Sequence, residues 1–266
     1  MIEISQFEEV TQIKMSHEMN GRPLYWVAAY IVDGLLIDTG CEYTSEEFIN
    51  CLQGKNIKLA VNTHHHEDHV GANHLVGQKF GIKIYAHPAA VPLISRVPRL
   101  NPYQELVWGY PRPSVVEPLS GTINTDNYTF EIIDTPGHCK DHIVLLEPGK
   151  GWCFSGDLFV SENQKVLRAD EDINEIARSI ERLLDIKTDR LILFTSIGRV
   201  VEDGREALRR YLDYLRELSR TAKRLDEEGM PVSAICTQIC GRESSLAQLT
   251  GGHYSSENLI RSILCK

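Results

Sequence analysis

Residues 61–71 constrain the chain more than any other stretch. Four histidines and two carboxylates fall at positions 64–69, directly behind the apolar run 57–61. A hydrophobic core has no use for such a cluster. Imidazole and carboxylate are instead the groups that hold a borderline cation such as zinc, or iron or manganese in an oxygen-richer site. Side chains alternate along an extended segment, so His64 and His66 can grip one ion together while His65 points away. Asp68 and His69 follow a turn later, where the chain enters a helix, and can face a second ion. The competing reading is a polar surface loop that collects metal by accident.

Other parts of the chain bound what surrounds this cluster. At 266 residues and 42% hydrophobic content it is long for one domain but normal for a single α/β sandwich with a small extension. A formal charge of −9 argues against a broad nucleic-acid-binding surface. No apolar run reaches membrane-spanning length. Residues 1–9 are acidic and lack the basic start and apolar stretch of a signal peptide, so a cytoplasmic protein is expected. The seven cysteines agree: their number is odd and none form a Cys-x-x-Cys, which argues against a disulfide framework or structural zinc site. Cys139, which follows His138, is the one to watch near a metal; the ordinary reading is a small buried filler.

Periodicity places these residues on elements. Strands are expected over 23–31 and 35–38 around a turn at Asp33-Gly34, then over 57–61 and 82–86. Thr44 with Glu47 reads as a capping box ahead of an apolar stripe, Phe48, Ile49 and Leu52, that ends at Gly54. A second helix is expected over 70–80, stopped by Gly81. Alternating strands and helices argue for a layered α/β architecture with its ligands on loops at strand ends. Between 88 and 118 seven prolines break up Tyr103, Trp108 and Tyr110. This insertion can form a lid or pocket wall, or pack its aromatics onto the body or a second subunit. Strands return over 128–133, 143–146, 152–154 and 191–194, with a helix over 172–186. After Gly204 the pattern is helical; this tail can cap the sandwich or support a homodimer.

Four motifs, in order, carry a resemblance to a known family. His64-x-His66-x-Asp68-His69 resembles the metal-binding motif of the metallo-β-lactamase superfamily, and Ile37-Asp38-Thr39-Gly40 its early strand-end aspartate. Asp134-Thr135-Pro136-Gly137-His138 resembles the turn that carries that family's third histidine. Phe154-Ser155-Gly156-Asp157 resembles the turn whose carboxylate bridges two metals. The resemblance runs from near Trp26 to near Asp203. It implies a four-layer αββα sandwich over 1–203, with the insertion at 88–118 and a helical extension over 204–266.

It also implies a site. His64, His66 and His138 would hold a first metal, Asp68 and His69 a second, and Asp157 would lie between them. One or two divalent ions are expected, zinc first, with iron or manganese as alternatives. Two neighbouring cations can share a water, lower its pKa and direct it at an electrophilic carbonyl or phosphorus. Asp68 would orient that nucleophile or carry a proton. The implied activity is hydrolysis of a small-molecule ester, thioester or lactone, as in the glyoxalase-II or lactonase-like branch. Alternatives are an iron-dependent, sulfur-dioxygenase-like oxidoreductase and a metal-binding protein that has lost catalysis. Asp38 reads as an orienter of a ligating histidine, and His142 as a hydrogen-bonded core residue. One departure stands out: after the final strand the family places a last histidine, and this chain has Ile197 there. His253 is the side chain to check as a replacement, and Arg199 could meet an anionic substrate.

Overall fold

The computed structural model describes residues 1–119 and 121–265. Two sheets lie face to face. The first runs, in spatial order, Ile2–Phe7, Val10–Met15, Val27–Val32, Leu35–Ile37, Leu59–Val61, Lys83–Ala86 and Glu117–Pro118. The second runs Thr122–Asn124, Thr129–Asp134, Ile143–Glu147, Trp152–Gly156, Ile192–Thr195 and Val200–Val201.

Alternation along the strands builds the layers. Leu35 and Ile37 face inward with Tyr30 and Val61 and meet Phe130, Leu145, Phe154 and Phe194 of the second sheet. Leu36 points the other way, into an outer layer where Phe48, Ile49 and Leu52 of the helix Ser45–Leu52 pack with Leu75 and Val76 of Asn73–Phe80. On the far face, Val144, Leu146 and Leu193 meet the helices Ile173–Asp185, Gly204–Glu227 and Ser256–Leu264. This is the expected αββα sandwich. The tail helices share the core of the second sheet through Leu208, Tyr211, Leu212, Leu259 and Ile263.

Strand register positions the site. Leu35–Ile37 and Leu59–Val61 are parallel with Ile37 opposite Val61, so Asp38 and Thr63 leave the sheet side by side. Trp152–Gly156 and Ile192–Thr195 are also parallel, with Gly156 opposite Thr195, which sets Asp157 beside Ser196. The two sheets are tied at this end by Ile143 N donating to Thr63 O at 2.9 Å and Ala28 N donating to Ser196 O at 2.6 Å.

Several local expectations need correcting. The second helix begins at Asn73 rather than near Val70, because the preceding residues are held in turns: Val70 N donates to His66 O at 3.2 Å and Gly71 N to Gly40 O at 2.7 Å. A side chain at Gly71 would lie 2.3 Å from the backbone carbon of Cys41, so only glycine lets the two loops approach. The capping box at Thr44 does not form; its hydroxyl donates to Cys41 O at 3.2 Å instead. The hairpin of Ile2–Phe7 and Val10–Met15 was not anticipated from the acidic N-terminal segment.

Candidate metal centre

The six side chains singled out as ligands come together at the strand ends. His66 Nδ1 lies 2.8 Å from His138 Nε2. His138 Nε2 is 3.2 Å from Asp157 Oδ2, and His69 Nε2 is 3.4 Å from Asp157 Oδ1 and 3.8 Å from Asp68 Oδ2. The ring of His64 sits 4.5 Å from that of His66, 4.0 Å from that of His69 and 4.8 Å from that of His138. Donor atoms of His64, His69 and Asp157 all fall within 4.8 Å of one another, as do those of His64, His66 and Cys139. Cys139 is therefore close to the cluster, and burial pushes its thiol well above the usual range.

Whether a cation fits is decided by hydrogen-bond satisfaction. His64 Nε2 and His69 Nε2 are buried and have no hydrogen-bond partner. His69 Nδ1 lies 2.8 Å from Asp38 Oδ2, so it donates and leaves the Nε2 lone pair facing two carboxylates. A lone pair opposite carboxylate oxygens in a buried site is repulsive unless a proton or a cation lies between them. His138 repeats the pattern, its Nδ1 donating to Glu171 Oε1 at 2.5 Å. A carboxylate behind a ligating imidazole is the usual way a ring is oriented toward metal. Histidine nitrogens and carboxylate oxygens also suit the expected divalent ions. The residues fit the group.

Proton affinities follow from the crowding. Burial pushes the Asp68 carboxyl up to about 7, with Glu67 and Asp157 adding to the rise and His69 opposing it. Burial opposes a charge on His69, but Asp38, Asp68 and Asp157 together hold its proton affinity well above the ordinary value. Burial, joined by neighbouring positive groups, pushes His64 and His66 well down. Burial pushes His142 down to about 3. His142 lies outside the cluster: it accepts from Asp157 N at 3.0 Å and faces Thr135 Oγ1 at 2.8 Å, so it positions the Asp157 turn. His65 points away, onto Asp141 at 2.8 Å.

Ile197 stands where the last histidine is expected, and the side chains around it are placed as follows by the fold. The cavity lining after the last long strand is Ser196, whose buried Oγ lacks a hydrogen-bond partner, and Ile197 is not among the lining residues. His253 does not replace the histidine. Its Nδ1 lies 2.8 Å from the Tyr103 hydroxyl and 3.2 Å from Asn101 Nδ2, which ties the tail to the insertion. Arg199 is exposed, its guanidinium donating at 3.4 Å to the Val160 carbonyl.

Other groups were not anticipated. Arg168 is buried and lines the cavity; its Nη2 donates to His66 Nε2 at 2.6 Å and to Asp170 Oδ2 at 2.7 Å. A guanidinium here, where a carboxylate is usual, favours the tautomer of His66 that carries its proton on Nδ1. Glu171 bonds His138, and Tyr25 and Tyr254 line the cavity. The charged run Arg168, Asp170, Glu171, Asp172 ahead of a helix was the signal that could have exposed the first two of these groups.

The cavity above the cluster has a volume of about 450 Å³. His66, Glu67, Asp68, His138, Asp157 and Arg168 are its charged and imidazole lining, and Ser196, Thr250 and three tyrosines add hydroxyls. The insertion helix Pro102–Trp108 contributes Tyr103, Leu106, Val107 and Trp108, so part of the insertion is a pocket wall.

Residues 27–195 match the sequence profile of the metallo-beta-lactamase superfamily, and the chain belongs to that superfamily. The fold implies a divalent-metal site. A "Beta-lactamase-like protein 2 homolog" of Drosophila melanogaster is 30% identical over 68% of this chain and 60% of its own length. The chain thus spans about three fifths of that relative. A "Hydroxyacylglutathione hydrolase GloC" of Haemophilus influenzae is 29% identical over 62% of this chain and 82% of its own length. Among solved structures, a metallo-beta-lactamase family protein of Thermus thermophilus superposes with a TM-score of 0.65 at 15% identity, covering 94% of this chain and 91% of that one. A metallo-beta-lactamase from Pontibacter korlensis gives 0.63 at 22% identity, covering 81% and 99%.

Proposed function

We propose that the chain is a metal-dependent hydrolase of a small-molecule ester, thioester or lactone, with zinc as its resident ion. The observation that carries this reading is the convergence of His66, Asp68, His138 and Asp157 at the floor of a cavity with His64 and His69 packed against them, the Nε2 atoms of the last two buried and unpartnered. His64, Asp68, His69, His138 and Asp157 would hold the metal, and His66 would join them through Nδ1 with Arg168 drawn off its Nε2. Bound there, the ion would supply Lewis acidity, lowering the pKa of a water and polarising a carbonyl.

The remaining chemistry falls to side chains. Asp68 would orient the attacking water and carry a proton to the leaving group. Asp38 and Glu171 would keep His69 and His138 in the tautomers that offer Nε2 to the ion. The walls would hold the substrate and exclude water. Residues 1–203 would form the catalytic unit, and 204–266 an extension that completes the pocket. A cytoplasmic setting accords with seven free cysteines, and among the described residues no helix is long and apolar enough to cross a membrane.

The test is metal content by mass spectrometry on protein purified without added metal, followed by assay of esters, thioesters and lactones. Zinc with hydrolysis is expected, and Asp68→Asn should lower kcat/KM by about 100-fold or more. Iron, with oxygen uptake and no hydrolysis of any substrate, would replace this reading by the oxidoreductase one.

A further inference from the structure

We propose that the cavity accepts a medium-length apolar acyl group, so that the preferred substrates are hydrocarbon or aryl acyl esters and thioesters. The inference rests on the hydrolase reading above and names its substrate class.

Three segments distant in sequence build the upper walls: the loop around Met19 and Tyr25, the insertion helix with Leu106 and Trp108, and the tail with Leu246 and Leu249. Five of these six are exposed, Leu106 at 50% and Leu249 at 74% among them, and Trp108 is half-buried. Apolar groups gathered at one rim above a polar floor mark a surface that a ligand covers. A single patch would be unremarkable; here its continuity with the candidate centre gives it direction.

The walls are braced before any ligand arrives. Gln104 Nε2 donates to Glu67 Oε1 at 2.7 Å, linking the insertion helix to the histidine loop. The short tail strand Tyr254–Ser255 pairs with Leu167–Arg168, and His253 bonds to Tyr103. Preformed walls spare a ligand the ordering cost of making them. Charge argues the same way. Arg168 is the one lysine or arginine among the described lining residues, and Asp170 and His66 already engage it. An anionic acyl group would find no free cationic side chain there.

The reaction balances as hydrolysis. The oxygen of water bonds to the acyl carbon, the C–O or C–S bond to the leaving group breaks, and a proton passes to the departing alkoxide or thiolate. The acyl chain would lie along the apolar walls with its carbonyl carbon toward the water that Asp68 orients.

The test is a p-nitrophenyl ester series from acetate to decanoate on the metal-loaded protein, with calorimetric binding of octanamide against acetamide as a readout without turnover. Expected is a rise in kcat/KM of roughly three- to fourfold per methylene until the cavity fills. The octanoate-to-acetate ratio should fall at least about fivefold in Leu106→Ser and in Leu249→Ser, exposed positions where a smaller polar residue does not threaten folding. Hydrolysis with no chain-length dependence, or with acetate fastest, overturns the inference and leaves the hydrolase standing. Selective binding of octanamide with no turnover of any ester, thioester or lactone supports the apolar pocket and overturns the hydrolase reading.

Discussion

Replacing Asp38 by asparagine separates orientation of a ligand from the ligand itself. Asp38 is buried, with φ +58°. Its Oδ1 accepts from Thr63 N at 2.7 Å, and its Oδ2 from Thr63 Oγ1 at 2.8 Å and His69 Nδ1 at 2.8 Å. Asparagine tolerates this left-handed conformation, so backbone strain does not confuse the comparison. With the amide oxygen kept on Thr63 N, the new NH₂ faces the Thr63 hydroxyl and His69 Nδ1. The hydroxyl can turn and accept. The imidazole must then bare its Nδ1 lone pair, which moves the ring proton to Nε2, the atom aimed at Asp68 and Asp157. The flipped amide instead sets NH₂ against the Thr63 N–H, leaving buried donors unpaired at about 1–3 kcal/mol. Cation affinity should fall about 10- to 100-fold, the usual effect of losing such a partner, which corresponds to about 1.4–2.8 kcal/mol. Competition titration against a chromophoric chelator reads it directly. An affinity within twofold of the natural protein would refute the claim that Asp38 sets the His69 tautomer.

Three other outcomes are expected. Cation binding must expel the protons that His69 and Asp68 hold above their ordinary values; both sites are protonated at low pH, so apparent affinity should rise with pH through about 7, and a flat profile would contradict this. Gly137 has φ +136°, and a Cβ there would lie 2.5 Å from Ile176 N; Gly137→Ala should lose about 3 kcal/mol in denaturant unfolding, and no measurable loss would mean the His138 turn is not held as described. His253→Ala should leave cation stoichiometry unchanged by mass spectrometry, since its Nδ1 faces Tyr103 and Asn101, whereas loss of one ion would restore it as a ligand.

Much of the fold was legible because burial writes a period into sequence. Leu35, Leu36 and Ile37 alternate between two cores, and Ile173, Ile176, Ile180 and Leu183 mark one helical face. The candidate ligands were legible for a different reason: clustered imidazoles have little use in a core, and their spacing survives translation into a loop. What the helix at Asn73 lacked was a local signal, since its start depends on Gly71 meeting the Cys41 backbone.

The sequence by itself determined the layered architecture, the ordered motifs and the absence of a histidine at Ile197, because each is a matter of residue type and short-range period. Only the tertiary structure decided that Arg168 stands behind His66, that Ser196 lines the cavity at the missing ligand, and that His253 braces Tyr103. Those contacts join residues as much as 150 positions apart in the chain. No local propensity encodes such a meeting; it follows from where strand register and helix packing deliver the chain.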